Sequence, residues 1–477
     1  MVTRQSEINQ AAAKAQSGKL TVIVLAAGKG TRMKTLLPKV LHPVAGRPMI
    51  HRVLEACKGA GATDIRVIVG FQKELVRATV ESLGVNCFDQ HQQLGTADAV
   101  KAAQVDDIEG PVIILNGDHP LICAEDLQNA LREFREQKGE LAVLTCVVKK
   151  PGALGRIMRH KGEFVAIVEA KDARPEVLKV NEINTGIYIT YGNLLSELLP
   201  LIRNQNQQKE YYLTDIVGLA RERKNKVMAI KTRRRVAFGV NSQLELSQAT
   251  QAVYLRNAKK LLDQGVMLPY PNLVWIEDEV TVGPGSLIQP NTYLMGKSKI
   301  GSHCVIEGNT TIRDCQIGDH VQIRSGCYFE SSVVEQEAVL GPYTRLRPET
   351  VVGENAHIGN FVELKKVKFG KSSKAGHLTY LGDAEIGEDV NIGCGTITCN
   401  YAADRKKYKT IIGDRVFVGS DSQFVAPIIV GNDAVIGSGS VITENVPEGA
   451  LAIARGRQVI KENYSAGRMS QKKDKGE

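Results

Sequence analysis

The sequence has 477 residues, of which 43% are hydrophobic, and a formal net charge of +9. That length and composition suit two to four ordinary folded domains of ~150 residues each. No apolar run approaches the ~18 residues of a membrane span, and no nucleic-acid-reading module is recognisable, so we expect neither a membrane span nor a nucleic-acid partner.

The first segment, residues 1–19, is polar and lacks the apolar core of a secretory signal, so we interpret it as an N-terminal extension of unassigned role. The nine cysteines are scattered and form no CxxC pair. This pattern does not favour a zinc or thioredoxin-type site and favours reduced thiols. Both features predict a cytoplasmic protein.

Residues 20–240 alternate between short apolar runs and helical segments. The apolar runs are LTVIVL (20–25), IRVIVG (65–70), VIILNGD (112–118), LAVLTCVV (141–148) and GIYIT (186–190). Continuous apolar runs are typical of buried parallel strands, and their alternation with helices predicts a doubly wound, Rossmann-like α/β domain. Ligands of such sheets bind beyond the carboxyl ends of the strands.

A glycine loop, AAGKGTRM, directly follows the first of these runs. Gly28 and Gly30 free the backbone to approach a phosphate, and Arg32 and Lys39 add positive charge. The loop lacks the GK[ST] ending of a Walker A motif, and Met33 stands where a dinucleotide fingerprint has its third glycine. A glycine loop alone is weak evidence for a phosphate site, because some such loops are only tight turns of the backbone.

Residues 241–268 join the two halves. The segment is free of proline and glycine up to Gly265, so it predicts a helix that Gly265 and Pro269 end. A helix that carries the chain between domains and a helix packed wholly on the first domain fit this pattern equally well.

Residues 269–460 contain an aliphatic position that recurs every six residues. A period of six fits neither a helix nor a simple strand and predicts an all-β, left-handed parallel β-helix of hexapeptide repeats. The alternative is a sandwich with irregular turns. The recurring residues are Val282, Ile288, Leu294, Ile300, Ile306, Ile312, Ile317, Ile323, Phe329, Val352, Ile358, Leu364, Ile386, Ile392, Ile412, Val418, Phe424, Val430, Ile436 and Ile442.

One insertion interrupts the repeat between Thr398 and Ile412, where the polar and basic segment NYAADRKKYK lies. An insertion in a solenoid becomes a surface loop, often at the binding face, although a tolerated insertion without function fits as well. The basic tail of residues 461–477 carries no assignable chemistry.

Several short motifs, in their order, point to a known family. LAAGKGTRM and LPKVLHPVAGRPM resemble the sugar-nucleotidyltransferase signature, and QLGTADA, NGDHPL, EINTGIY and GVN follow in the family's order. With the hexapeptide repeat behind them, residues 20–460 resemble the bifunctional GlmU family. The resemblance implies a homotrimer that acetylates glucosamine-1-phosphate with acetyl-CoA and transfers UMP from UTP to N-acetylglucosamine-1-phosphate.

The resemblance also implies the residues of uridylyl transfer. Arg32 and Lys39 would be catalytic cations that hold phosphates, and Asp118 and Asn241 would bind Mg²⁺. Without the resemblance, an aspartate after glycine is more often a turn or capping residue. The uridine pocket would comprise Leu25, Ala26, Gly28, Gln90, Gln93, Gly95 and Thr96, and the amino sugar would contact Gly155, Glu169, Asn184 and Asn241.

For acetyl transfer, the resemblance implies a site within residues 347–455. His377 would be the general base, because histidine titrates near neutral pH, although a lone histidine is more often structural. Arg347, Lys365, Tyr380 and Asn391 would bind the sugar phosphate or orient its amine, together with Asn400, Tyr401 and Lys407. Acetyl-CoA would contact Cys394, Asn400, Tyr401, Ser420, Ser438 and Arg455. Cys394 and Ser438 stand where the family usually has alanine.

Two rival interpretations remain at this level. One is a nucleotidyltransferase whose β-helix is catalytically silent, and the other is a non-enzymatic nucleotide sensor or scaffold. His377 with Lys365 and Tyr380 argues against the first, and Asp118 with Asn241 argues against the second.

Overall fold

The computed structural model describes residues 19–465, so almost all of the predicted extension 1–19 and most of the basic tail 461–477 lie outside the described residues. The chain divides into two compact units, Met1–Val253 and Tyr254–Glu477. Within the described residues, no helix combines the length and apolarity needed to cross a membrane.

The first unit is built on a nine-stranded mixed sheet. Its central strand, Thr21–Leu25, lies parallel between Pro111–Asn116 and Asp64–Val69. Across the sheet the order is Val227–Lys231, Leu141–Val147, Glu182–Tyr191, Pro111–Asn116, Thr21–Leu25, Asp64–Val69 and Asn86–Asp89, with the hairpin Arg156–His160 and Glu163–Val168 attached to Glu182–Tyr191. A separate two-stranded ribbon pairs Pro43–Val44 with Arg47–Pro48.

Helices cover both faces of this sheet, as the alternating apolar runs predict. Successive side chains of a strand point to opposite faces, so Val22 and Val24 belong to one hydrophobic cluster and Ile23 to the other. The α-helices are Met49–Gly59, Lys73–Val80, Thr96–Ala102, Ala124–Glu136, Pro175–Leu178, Gly192–Leu198 and Ile216–Glu222, and the 3₁₀ helices are Thr31–Met33, Lys39–Leu41, Glu81–Leu83, Val105–Asp107, Leu199–Leu201, Leu213–Asp215 and Arg234–Ala237.

The sheet differs from a purely parallel doubly wound sheet in Glu182–Tyr191 and in the attached hairpin, whose pairings are all antiparallel. Glu182–Tyr191 runs antiparallel to both Pro111–Asn116 and Leu141–Val147, with a bulge between Asn184 and Tyr188. Hydrophobic runs predict that a strand is buried but carry no information on its direction, which depends on the path of the preceding connection. Here that connection contains the antiparallel hairpin rather than a single crossover helix.

A 21-residue helix, Gln243–Asp263, contains the division between the two units. Its start is capped by Ser242, whose hydroxyl accepts a hydrogen bond from the Glu245 amide, while the Glu245 carboxylate accepts one from the Asn241 amide. This reciprocal arrangement satisfies amides that have no partner within the helix. Gly265, with φ of 89°, follows its end, and Asn257 donates to the carbonyl of Ile276 within the second unit.

The second unit is a three-sided coil of parallel strands, which begins after the 3₁₀ helix Pro271–Leu273. Strands of successive coils pair in register, so every sixth residue points inward. The first face contains Val274–Ile276, Thr292–Met295, Thr311–Arg313, Tyr328–Glu330, Arg345–Leu346, Ile397–Cys399, Gln423–Val425 and Val441–Ile442. The second contains Thr281–Val282, Lys299–Ile300, Gln316–Ile317, Ser332–Val334, Thr350–Val352, Thr410–Ile412 and Ile428–Val430.

Two longer strands, Glu363–Phe369 and Tyr380–Ile386, extend across the first two faces. The third face contains Leu287–Ile288, Val305–Ile306, Gln322–Ile323, Val339–Leu340, His357–Asn360, Lys374–His377, Asn391–Ile392, Phe417–Val418, Val435–Ile436 and Leu451–Ala452. Every aliphatic position that the six-residue period predicts to point inward is buried in one continuous core. The predicted parallel β-helix is therefore confirmed, and the alternative of a sandwich is wrong.

Candidate functional sites

The first candidate site lies where two central strands of the nine-stranded sheet end. Thr21–Leu25 and Pro111–Asn116 are parallel neighbours, so their carboxyl ends open at the same edge. Two adjoining cavities are present at this edge, and both are lined by Leu25, Thr96, Asn116 and Asp118. All fourteen residues assigned to nucleotide, sugar, phosphate or metal from the first unit line at least one of these cavities. Five of them line the second cavity alone: Arg32, Gly155, Glu169, Asn184 and Asn241.

Four of these residues converge on one point. The Lys39 ammonium donates to Asp118 Oδ2 and, at 3.1 Å, to Asn241 Oδ1. Arg32 donates to the same Asn241 oxygen at 2.8 Å. The oxygens of Asp118 and Asn241, which are 123 positions apart in the sequence, are therefore close enough to share a single cation, which in this arrangement is the ammonium of Lys39.

The Asp118 carboxylate is held in its charged form. Burial opposes its ionisation, but the positive charge of Lys39 outweighs this effect and lowers its pKa. Its second oxygen, Oδ1, is buried and has no hydrogen-bond partner among residues 19–465. A buried carboxylate oxygen without a donor is costly, so this atom is suited to a ligand that brings positive charge.

These donors fit a small divalent cation. Mg²⁺ takes oxygen ligands, few of them from protein, and Asp118 and Asn241 offer a carboxylate and an amide oxygen at the edge of a cavity large enough to admit phosphates. Within the described chain, His, Cys, Asp and Glu nowhere form a group of three or more that could enclose a metal by themselves. Two oxygen ligands from the protein leave the other coordination positions of such a cation to water and phosphate oxygens.

Gly28 and Gly30, the two glycines of the loop, differ in what surrounds them. A side chain at Gly28 would meet no protein atom within 4 Å, so this position opens onto the cavity that it lines. Gly30 has φ of 61°, and a Cβ there would lie 2.6 Å from the Cβ of Lys39. Gly28 thus leaves room for a ligand, whereas Gly30 leaves room for Lys39 to reach Asp118.

The first cavity is lined by the side-chain amides of two glutamines. Gln90 donates its amide nitrogen to Asp98 Oδ2 at 2.8 Å, and Gln93 donates to the carbonyl of Ala27 at 2.7 Å. Both glutamines therefore keep their side-chain oxygens as acceptors. Gly95, with φ of 129°, allows the Tyr211 backbone to approach, since a Cβ there would lie 2.5 Å from its carbonyl oxygen.

The second cavity is lined by the residues assigned to the sugar. The Asn184 amide donates to the Gly155 carbonyl at 2.9 Å, and a Cβ at Gly155 would lie 3.3 Å from a carboxylate oxygen of Glu169. Asn184 also donates through its side chain to the Tyr188 hydroxyl. Burial raises the pKa of Glu169. These polar groups surround a space that hydroxyl groups can fill.

The second candidate site lies on the third face of the β-helix. Asn360 pairs in register with His377, and the strand pairing continues through Ile392, Val418 and Ile436. Ala375, Ile392, Val418 and Ile436 are paired in this way, and the residues two positions after them are His377, Cys394, Ser420 and Ser438. These four residues therefore form one column along the β-helix. Coils of a β-helix are spaced by one strand separation, about 4.8 Å. The proposed base and three residues assigned to acetyl-CoA therefore lie above one another on successive coils.

His377 is exposed, and one of its ring nitrogens is fixed by a hydrogen bond. Its Nδ1 hydrogen-bonds to the side-chain oxygen of Asn360, so Nδ1 carries the proton and Nε2 keeps a free lone pair. This is the state that a general base needs, because the orienting hydrogen bond selects the tautomer. Asn360 was not among the predicted residues, and only the register between coils brings it to His377.

A cluster of cations lies on the adjoining first face. Lys365 pairs in register with Gly382, one coil from Arg347. The nearby Lys407, and then Arg347, lower the pKa of Lys365, which shows that three positive groups share a small area. Glu363 accepts a hydrogen bond from Arg347 at 3.0 Å. The excess of positive charge suits a phosphate group.

Tyr380 and Asn400 lie beside these cations. A Cβ at Gly382 would lie 2.4 Å from the Tyr380 hydroxyl and 2.8 Å from the Asn400 amide nitrogen, so this glycine leaves room for both side chains. Asn400 donates to Asp383. Asn400 also begins the inserted loop, whose amide at Tyr408 donates to the Asn400 carbonyl. The insertion thus carries Lys407 toward Lys365.

The remaining predicted residues are more scattered. Tyr401 is exposed and pairs with Lys407 across the loop. Asn391 is exposed on the third face, two residues before Gly393. Arg455 donates to the carbonyl of Ser438 at 2.8 Å, which places a guanidinium at the end of the column.

Three models of known families match separate parts of the chain. The MobA-like NTP transferase domain matches residues 22–182. The GMPPB C-terminal domain matches residues 271–369, and the bacterial transferase hexapeptide, in six repeats, matches residues 409–444. The first falls in the α/β unit and the other two fall in the β-helix.

Curated relatives match across both units. A protein named Bifunctional protein GlmU from Bdellovibrio bacteriovorus is 62% identical over 411 residues, which cover 86% of this chain and 90% of the relative. Proteins of the same name from Pelobacter propionicus and Carboxydothermus hydrogenoformans are each 45% identical, over 86% and 85% of this chain and 90% and 91% of theirs.

Proposed function

Because the chain belongs to the family of bifunctional GlmU proteins, we propose that each of its two units carries one of that family's two activities. The chain is an enzyme of UDP-N-acetylglucosamine synthesis. It acetylates glucosamine-1-phosphate with acetyl-CoA and transfers UMP from UTP to N-acetylglucosamine-1-phosphate. The assignment of particular residues to these steps rests on the two candidate sites.

For uridylyl transfer, the convergence of Lys39, Arg32, Asp118 and Asn241 is the observation that carries the proposal. A phosphate oxygen of N-acetylglucosamine-1-phosphate attacks the α-phosphorus of UTP. The new phosphorus–oxygen bond forms as the bond to the β-phosphate breaks, and pyrophosphate leaves. Since both reactants are anions, Lys39 and Arg32 lower the barrier by neutralising charge and aligning the phosphates.

Asp118 and Asn241 would hold Mg²⁺, which supplies positive charge to the triphosphate when bound. The buried, donor-free Oδ1 of Asp118 supports this assignment. In the described arrangement Lys39 bridges the same two residues. We expect its ammonium to turn toward the phosphates when substrate binds, because a second cation between Asp118 and Asn241 would repel it.

In the two cavities, the residues recognise the base and the sugar. The side-chain oxygen of Gln90 accepts the N3 hydrogen of uracil, while Leu25, Ala26, Gly28, Gln93, Gly95 and Thr96 complete the uridine pocket. Glu169, Asn184 and the Gly155 backbone contact the amino sugar. Cytosine has an acceptor at N3, so the same glutamine oxygen would repel it.

This orientation of Gln90 gives a specificity prediction. Replacing Asp98 with alanine removes the nearer of two acceptors of the Gln90 amide nitrogen. The Gly95 carbonyl, at 3.3 Å, is the weaker acceptor that remains, so the amide can turn over more easily. We expect the ratio of kcat/KM for UTP over CTP to fall about ten-fold, the equivalent of one hydrogen bond. Asp106→Ala is the control, since this exposed carboxylate lies on the same unit without lining the cavity. An unchanged ratio in a folded Asp98→Ala enzyme would contradict the assignment.

For acetyl transfer, the hydrogen bond from Nδ1 of the exposed His377 to Asn360, which leaves Nε2 as an acceptor, is the observation that carries the proposal. The nitrogen accepts a proton from the glucosamine-1-phosphate amine as the amine attacks the thioester carbonyl of acetyl-CoA. The carbon–nitrogen bond forms, the carbon–sulfur bond breaks, and the CoA thiolate leaves and takes up a proton. Arg347, Lys365 and Lys407 bind the sugar phosphate, and Tyr380, Asn391, Asn400 and Tyr401 orient the acceptor.

Acetyl-CoA fits along the column above His377. Its pantetheine arm can follow Cys394, Ser420 and Ser438, whose backbone amides and carbonyls are spaced by one coil. Asn400 and Tyr401 would contact the acetyl end, and Arg455 would meet the phosphates. The side chains of Cys394 and Ser438 each have one heavy atom more than that of alanine. They therefore leave less room for the pantetheine arm.

We also propose that the active form is a homotrimer in the cytoplasm, where UTP and acetyl-CoA are available. Tyr343 and Phe361 stack with ring centroids 5.5 Å apart, and both, like Leu378 one coil further, are more than half exposed. This apolar row adjoins His377. A second copy packed here would cover the row and enclose the acetyl site.

A single incubation tests the two activities together. With glucosamine-1-phosphate, acetyl-CoA, UTP and Mg²⁺, we expect mass spectrometry to detect UDP-N-acetylglucosamine, free CoA and pyrophosphate. Omission of acetyl-CoA serves as the control and should abolish all three products. Normal uridylyl transfer from supplied N-acetylglucosamine-1-phosphate, without any CoA release, would instead favour a catalytically silent β-helix.

A further inference from the structure

His119 follows Asp118 directly, lines the same cavity and has no part in the mechanism above. Its side chain is almost fully buried, with 6% of the residue exposed. Nδ1 lies 3.1 Å from the carbonyl oxygen of Val236, a distance at which the ring nitrogen donates. The proton of the neutral ring is therefore on Nδ1, and Nε2 keeps a lone pair.

That lone pair faces the oxygen of Asp118 that lacks a donor. His119 Nε2 and Asp118 Oδ1 are 3.5 Å apart, and Oδ1 accepts no hydrogen bond from any described residue. Two buried acceptors that face each other need a positive group between them or beside them. The ammonium of Lys39 does not serve, because it binds the other oxygen of Asp118.

The spacing of these atoms suits two ligands of one metal ion. Nitrogen and oxygen ligands lie about 2.1 Å from a small divalent cation, so two of them can be 3.5 Å apart and share it. Histidines that bind metals usually donate their other ring N–H to a backbone carbonyl or a carboxylate, which sets the tautomer. The bond from His119 to Val236 is of this kind.

The segment that carries Asn241 packs against the same ring. A Cβ at Gly239 would lie 3.0 Å from His119 Nε2 and 3.7 Å from the Asn241 amide nitrogen. A side chain at this position would collide with the imidazole, so Gly239 allows the His119 ring and the Asn241 side chain to lie close together.

We propose that Nε2 of His119 is a third protein ligand of the divalent cation held by Asp118 and Asn241. The inference rests on the proposed uridylyl-transfer site and adds a nitrogen donor to a set that otherwise contains only oxygen. Nitrogen ligands strengthen binding of Mn²⁺ and Co²⁺ more than that of Mg²⁺. The site is therefore expected to prefer Mn²⁺ over Mg²⁺ more strongly than a site without the imidazole.

Electron spin echo spectroscopy of bound Mn²⁺ tests this directly, without turnover. The full chain is loaded with Mn²⁺ alone, and then with Mn²⁺ and UTP. We expect modulation from a directly bound imidazole nitrogen in the unaltered protein and in the control His320→Ala, which changes an exposed histidine of the β-helix. In His119→Leu we expect that signal to disappear and the dissociation constant for Mn²⁺ to rise about ten-fold or more, with a smaller change for Mg²⁺ measured by competition.

The possible outcomes separate this inference from the proposed function. If Mn²⁺ binding depends on Asp118, as Asp118→Asn would show, but no imidazole nitrogen couples to the metal, His119 is not a ligand and the proposed metal site remains. An unchanged nitrogen signal in His119→Leu would also overturn the inference, because another histidine would then be the ligand. If Asp118→Asn leaves Mn²⁺ binding unchanged, the metal site itself is wrong.

Discussion

Replacing Asp118 with asparagine is expected to lower uridylyl transfer by about 10³-fold, the scale on which active-site charge stabilisation operates. The substitution keeps the shape of the side chain but removes its negative charge. The change weakens the hold on a divalent cation and releases Lys39, which Asp118 and Asn241 now position. The rate is measured as UTP-dependent release of pyrophosphate at saturating Mg²⁺.

Acetyl transfer provides the internal control, because every residue assigned to it lies in the β-helix unit. Asp107→Asn is the matched variant, since Asp107 forms an ion pair with Arg66 in the same unit and lines neither cavity. Pyrophosphate release within ten-fold of normal in Asp118→Asn would show that this carboxylate does not hold the cation. Loss of both activities in a folded variant would show that the two sites are not independent.

Replacing His377 with alanine is expected to lower acetyl transfer by about 10²- to 10⁴-fold, the usual contribution of a general base. The thioester and the sugar phosphate still bind, so the loss should fall on kcat rather than on KM. The rate is measured as CoA release with glucosamine-1-phosphate. The deficit should narrow as the pH rises, because a larger share of the substrate amine is then unprotonated without help.

His320→Ala is the matched control for this variant. His320 also lies on an exposed turn of the β-helix, where its ring stacks on that of His303 with ring centroids 5.2 Å apart. We expect the control to retain both activities and His377→Ala to retain uridylyl transfer. A deficit in His377→Ala that stays constant with pH would point to a structural role for the imidazole rather than to proton transfer.

The six-residue period was sufficient to predict the second unit. Each aliphatic residue of the period occupies an inward position, because consecutive coils pair in register and repeat the same environment. Ile358 and Val418 illustrate the point, since each lies in the core directly beside its counterparts in the neighbouring coils. A repeat is predictable from sequence because each coil meets only its neighbours, so local pattern and tertiary contact coincide.

In the first unit, the apolar runs predicted five strands but not the direction of Glu182–Tyr191 or the hairpin Arg156–Val168. The hairpin strands are short and partly exposed, so they lack a continuous apolar run. The motifs located the glycine loop and Asp118 at strand ends. They did not separate Gly28, which opens on the cavity, from Gly30, which accommodates Lys39.

The sequence by itself determined that this chain combines a buried α/β sheet with a solenoid, and its motifs identified the residue types that bind phosphates and accept protons. Only the tertiary structure decided which of these residues meet. The contact of Asn360 with His377, the approach of Asn241 to Asp118 and the position of His119 all join distant segments or depend on a ring's orientation. Such contacts depend on strand register and side-chain packing, which no local pattern of polarity encodes.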